Sequence, residues 1–145
     1  MICHWYHPHV EWTAFDFYSK KQSTIETATY GSEFVAARTC AEQIIDIRTT
    51  LRYLGVLIQD CSYMFGDNES VVNSSSIPEA KLHKRHTALS FYRVREAIAA
   101  GVVAFMHIDG AKNLADILRK HWGYAQVWPQ LRTLLFRPGE TAFEE

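Results

Sequence analysis

From about Tyr30 to Leu54, apolar residues return every three or four positions. Phe34, Ala37, Ala41, Ile44, Ile45, Leu51 and Leu54 share one side with Arg48. That period matches the turn of an α-helix, and it predicts one long amphipathic helix. Thr27 and Thr29 stand where a side-chain oxygen can cap its first turn. Gly55 stands where a left-handed residue can end it.

The rest of the chain is organised around this helix. His9 to Thr13 and Ala14 to Ser19 carry aromatic and β-branched residues and read as strands. Ser62 to Phe65 is a short apolar run and reads as a buried strand, broken by Gly66-Asp67-Asn68. A short helix over Glu69 to Asn73 and a loop over Ser74 to Leu82, with Pro78 inside, are expected next. A second long helix is expected over His86 to Ala100, with Leu89, Tyr92, Ala97 and Ile98 inward and Gly101 as its stop. Val102 to Ile108 reads as a strand, and Asp109 to Lys112 as a turn. Asn113 can cap a helix reaching His121. Pro129 then sits in the first turn of a last short helix holding Leu131, Leu134, Leu135 and Phe136. This order predicts an α/β domain with helices packed on a central sheet.

Bulk composition sets limits on function. The 145 residues suit one domain, and 48% hydrophobic with 21% charged residues suits a globular core. The formal net charge is -1, so any surface for a polyanion must be a local patch. Lys81, His83, Lys84, Arg85 and His86 form the one dense basic cluster, readable as a phosphate-backbone contact or as a solvated helix start. Three widely spaced cysteines, Cys3, Cys40 and Cys61, argue against a disulfide framework, and Cys40 reads as a buried thiol. No apolar run approaches the ~20 residues of a membrane span. The start of the chain lacks the basic and apolar regions of a signal peptide. A soluble intracellular protein with no membrane partner is expected, in the cytoplasm, a virus-like particle or the nucleus. Cys3, His4, His7 and His9 lack zinc-finger spacing and read as a mobile tail. Ser32 lacks a nucleophile-elbow pattern, which argues against a serine hydrolase.

Three acidic residues hold positions that an α/β fold can gather. Glu33 lies near the start of the long helix, Asp67 just past a buried strand, and Asp116 in the first turn of a later helix. Strand ends and helix starts of such folds commonly meet at one sheet edge. Carboxylates gathered there suit hard divalent cations, and a pair of such ions ~4 Å apart can activate a phosphodiester. Each residue alone also has an ordinary reading. Glu33 and Asp116 complement a helix dipole, and Asp67 is a turn residue.

The local wording around these residues resembles a known family. Tyr18-Ser19-Lys20-Lys21-Gln22-Ser23-Thr24 precedes Tyr30-Gly31-Ser32-Glu33-Phe34. Gly66-Asp67-Asn68-Glu69-Ser70-Val71-Val72 follows, then Lys84-Arg85-His86 with Tyr92-Arg93-Val94-Arg95-Glu96, then Asn113-Leu114-Ala115-Asp116-Ile117-Leu118-Arg119-Lys120. In this order, over roughly Tyr18 to Gly123, the segments resemble the RNase H region of copia-type retrotransposon polyproteins. The wording is most similar to copia-like elements of diatoms and related algae. The resemblance implies an RNase H-like mixed β-sheet flanked by helices and Mg²⁺-dependent cleavage of the RNA strand of an RNA–DNA hybrid. It implies Glu33, Asp67 and Asp116 as catalytic metal ligands for two Mg²⁺ ions. Lys81, Lys84, Arg85 and His86 follow as candidate nucleic-acid contacts. The implied partners are an RNA–DNA hybrid or other nucleic acid and the reverse transcriptase domain of the parent polyprotein.

The resemblance also implies a departure. The family's first metal-binding Asp lies on a strand upstream of the Ser19-Lys20-Lys21-Gln22 segment, and residues 1–17 hold no equivalent. Asp16 belongs to the third strand by this alignment, and Glu11 to the second. The expectation is an N-terminally truncated RNase H-like domain without its first strand, with an exposed sheet edge and impaired or absent catalysis. Its parts are a divergent segment over 1–17, a core over 18–123 and a short helix and tail over 124–145. The alternative is a non-catalytic nucleic-acid-binding or interaction relic, or a domesticated module.

Overall fold

The computed structural model describes residues 2–4, 29–82, 85–113 and 123–135. In chain order the elements are β1 (Ile2–His4), α1 (Thr29–Tyr53), β2 (Ser62–Gly66), α2 (Glu69–Ser76), α3 (Ala88–Ala99), β3 (Val103–His107) and α4 (Tyr124–Leu135). Single 3₁₀ turns lie at Arg85–Thr87 and Gly110–Lys112. The strand order is β1-β2-β3, with β1 antiparallel to β2 and β2 parallel to β3. The chain is therefore α/β with a small mixed sheet, as its element order predicts. The strands expected over His9 to Thr13 and Ala14 to Ser19 lie outside the described residues.

The long helix runs as its periodicity requires. Its buried positions, Phe34, Ala37, Cys40, Ala41, Ile44 and Arg48, step by three or four along one side. Thr29 is its first residue rather than its cap, and Thr27 lies outside the described residues. Val56 donates to the Leu51 carbonyl and Gly55 to that of Arg52, with Gly55 at φ 81°. This is a Schellman end, which satisfies carbonyls the helix itself leaves open. The same device ends α3, where Val102 donates to Ala97 and Gly101, at φ 66°, to Ile98. Both glycines stand where a side chain would be strained.

Arg48 shares the apolar side for a reason. Its guanidinium donates to the Asp60 carbonyl at 2.7 Å and to Ser62 Oγ at 3.0 Å. The charged head thereby ties α1 to the entry of β2, while the aliphatic stem covers apolar surface. Burial, and then the nearby Arg52 charge, lower its pKa.

The core lies where α1, α2 and α3 meet one face of the sheet. Phe34, Ala41 and Ile44 of α1 join Met64 of β2, Val71 and Val72 of α2, Phe91, Val94 and Ala97 of α3, and Val103 and Phe105 of β3. Phe34 and Phe91 hold the centre with ring centroids 5.5 Å apart. Alternation along β2 and β3 places Met64, Val103 and Phe105 inward, while Met106 is exposed.

Several expectations need correction. Leu89 and Tyr92 do not face inward; they are 67% and 61% exposed. The inner side of α3 carries Phe91, Val94 and Ala97, continued by the partly buried Ile98. The Leu89–Tyr92 side runs on into Arg93 and the exposed Glu96, so it had the smaller apolar area to bury. The short helix extends to Ser76 instead of Asn73. Arg95 closes its end by donating to the Ser74, Ile77 and Pro78 carbonyls, with its guanidinium 5.2 Å over the Phe91 ring. Pro129 lies inside α4, which starts at Tyr124, and not in its first turn. Cys40 is buried but disulfide-bonded, while Cys61 is a free thiol. The N-terminal segment does not read as a mobile tail throughout, because Ile2–His4 forms a strand. Its pairing of Ile2 with Phe65, Cys3 with Met64 and His4 with Tyr63 covers the middle of one edge of β2.

The orientation of α3 makes a prediction for unfolding in urea. Phe91→Ala should cost about 3–5 kcal/mol, because it empties a buried aromatic site. Leu89→Ala should change stability by less than about 0.5 kcal/mol, as exposed substitutions do. Equal losses would mean that the helix is turned the other way.

Candidate functional site at the strand exits

Two parallel strands release the chain at the same end of the sheet. The last rung pairs Gly66 of β2 with His107 of β3, and Ile108 then donates to the Gly66 carbonyl at 3.0 Å. Beyond this rung the chain continues as Asp67-Asn68 on one side and Ile108-Asp109-Gly110 on the other. The carboxyl ends of parallel strands are where open α/β sheets commonly place their sites.

Asp67 is held here by its neighbours. Asn68 caps α2, with its Oδ1 accepting from the Val71 amide at 3.3 Å. The Asn68 carbonyl accepts from Val71 and Val72. On the β3 side, Asp109 Oδ1 accepts from the Ala111 amide at 3.0 Å and fixes the 3₁₀ turn at Gly110. A Cβ at Gly110 would lie 3.9 Å from Asp67 Cβ and 4.0 Å from Asp67 Oδ2. The Asp67 side chain thus lies against the Gly110 turn. It is half-buried, and among the described residues its carboxylate makes no hydrogen bond or ion pair.

The other sequence candidates are placed less completely. Glu33 is the fifth residue of α1, in its second turn, and is half-buried. Asp116 and Lys84 lie outside the described residues. Lys81 and Arg85 are exposed, with Arg85 opening the 3₁₀ turn before α3. His86 lies in that turn, and its side chain is outside the described set. Among the described residues, no three His, Cys, Asp or Glu side chains stand together in a group that could hold a metal ion. The described carboxylates therefore offer oxygen donors of the kind Mg²⁺ takes, but do not alone form a metal centre.

His107, Asp109 and Gly110 were not singled out as site residues from the sequence. The signal was present, since His107-Ile108-Asp109-Gly110 follows one apolar strand much as Gly66-Asp67-Asn68 follows another. What the sequence did not give was the parallel pairing that sets the two exits side by side. No described helix is long and apolar enough to cross a membrane.

No protein-family model, curated protein or solved structure matches this chain.

The local geometry separates a capping role from a site role. Asn68→Ala should lower stability by about 1 kcal/mol through loss of the α2 cap. Asp67→Asn should leave the unfolding free energy in urea within about 0.5 kcal/mol of the parent, because among the described residues its carboxylate has no partner to lose. A loss for Asp67→Asn as large as that for Asn68→Ala would make Asp67 a folding residue.

Proposed function

We propose that this chain is an RNase H-like domain of a copia-type retrotransposon polyprotein, descended from an enzyme that cleaves RNA in RNA–DNA hybrids. The support is the ordered set of motifs over Tyr18 to Gly123. The observation that carries most weight is the position of the Gly66-Asp67-Asn68 motif. Its Asp stands at the exit of a strand that is parallel to its neighbour, with a half-buried carboxylate that engages no partner among the described residues.

On this reading Glu33, Asp67 and Asp116 would hold Mg²⁺. Bound ions would supply charge stabilisation to the attacking and leaving oxygens of a phosphodiester. The chain's own residues would orient those carboxylates. Asn68 anchors the turn after β2, and the Gly110 turn borders the Asp67 side chain. Lys81, Lys84, Arg85 and His86 would meet the phosphate backbone of the hybrid. The reverse transcriptase domain of the parent polyprotein would be the covalent neighbour that delivers it.

The 145 residues carry three of the family's four carboxylates, so weak or absent turnover is expected. The test is cleavage of a labelled RNA–DNA hybrid in Mg²⁺ or Mn²⁺. The proposal expects at most a trace of product, and expects Asp67→Asn to remove it. Robust turnover that disappears in Asp67→Asn would overturn the expected impairment. Robust turnover that survives Asp67→Asn would overturn the site.

A second reading rests on the one dense basic cluster, Lys81 to His86. It is a non-catalytic nucleic-acid-binding relic or domesticated module. It expects salt-sensitive hybrid binding that requires the cluster over residues 81–86 and persists in Asp67→Asn. Binding undetectable at low salt would sink it.

A further inference from the structure

The two strand exits meet through a contact that neither the motifs nor the basic cluster covers. His107 ends β3 at the rung opposite Gly66. From there the His107 side chain reaches the partner strand's exit, where its Nε2 lies 3.3 Å from the Asp67 carbonyl oxygen. A carbonyl only accepts, so Nε2 must carry the hydrogen. The ladder has ended at Gly66, and the ring supplies a donor to the first carbonyl beyond it.

His107 is exposed, so it is not there to fill the core. Asp67 is therefore approached from two places, its carbonyl by the His107 ring at the end of β3 and its side chain by the Gly110 turn that follows, where an added Cβ would reach it. We propose that His107 is a positioning residue for Asp67: by bonding the Asp67 carbonyl across the last rung, it fixes the direction of the carboxylate. The inference rests on the reading of Asp67 as a metal ligand. Groups that orient a ligand tune affinity without touching the metal. A bond of 3.3 Å to an exposed ring is long, which sets the expected effect at the low end for such groups.

The test compares the full chain with His107→Ala, His107→Asn and His107→Gln. A glutamine amide nitrogen can take the place of Nε2, whereas that of asparagine falls short. Backbone ¹⁵N relaxation of Asp67 and Asn68 and the affinity for Mn²⁺ alone are the readouts. The expected result is lower order at Asp67 and Asn68 in the Ala and Asn variants, with parental order in His107→Gln. Mn²⁺ affinity should fall about three- to tenfold in the same two variants and recover in His107→Gln. Equal order in all four proteins would overturn the inference, whether or not Mn²⁺ binds. Urea midpoints lowered alike in all three variants would also overturn it, by making His107 a folding residue. If the parent binds no Mn²⁺ while the order pattern holds, the positioning stands and the metal-site reading fails.

Discussion

Parallel strands cannot be joined by a tight turn, because the chain must return to the same end before it can pair again. The link from β2 to β3 therefore has to be long, and here it contains α2 and α3. Those helices must be packed for the pairing to hold. Phe91, Val94 and Ala97 of α3 meet Phe34 and its neighbours on α1, and Val71 and Val72 of α2 close the same core. The pairing of β2 with β3 and the packing of the helices thus require each other. The local chemistry follows from that arrangement. Both strands release their chains at one end, so Asp67, His107 and the Gly110 turn become neighbours although some forty positions separate them.

Polar contacts at the margins hold the connections in place. Arg48 ties the far half of α1 to the entry of β2, and Arg95 gathers three carbonyls at the end of α2. Each donates to backbone carbonyls where the chain changes direction and the regular ladder supplies no donor. Two left-handed glycines, Gly55 and Gly101, do the same for the last turns of α1 and α3. The framework around the strand exits is therefore set by apolar packing inside and by charge-assisted hydrogen bonds at the turns.

Local information in the sequence was enough for much of this. The period of α1, the glycine ends of two helices and the apolar runs of β2 and β3 all depend on near neighbours. Facing in α3 was harder, because Leu89 and Tyr92 offered an apolar pair as plausible as Phe91 and Val94 over a single turn. Beyond that turn the Leu89–Tyr92 side becomes charged at Arg93 and Glu96, while the Phe91–Val94 side meets the apolar surface of α1. The disulfide at Cys40 was hidden for a similar reason, since spacing does not report which residues a fold brings together. Pro129 was misplaced because a short helix was expected to start at its proline, whereas α4 begins at Tyr124 and carries the proline inside. For the candidate site, Asp67 was legible as a residue past a strand end, but His107 was not. Its contact depends on the parallel register, which belongs to tertiary structure.

The proposed site requires Glu33, Asp67 and Asp116 to converge on one ion-binding edge. Amide NMR of the full chain during a Mn²⁺ titration tests it directly, since paramagnetic broadening reports nearness to the ion. Convergence gives broadening centred on Asp67 and shared by the amides around Glu33 and Asp116, all lost in Asp67→Asn. Broadening confined to the N-terminal histidines, or scattered over separate faces, would contradict it.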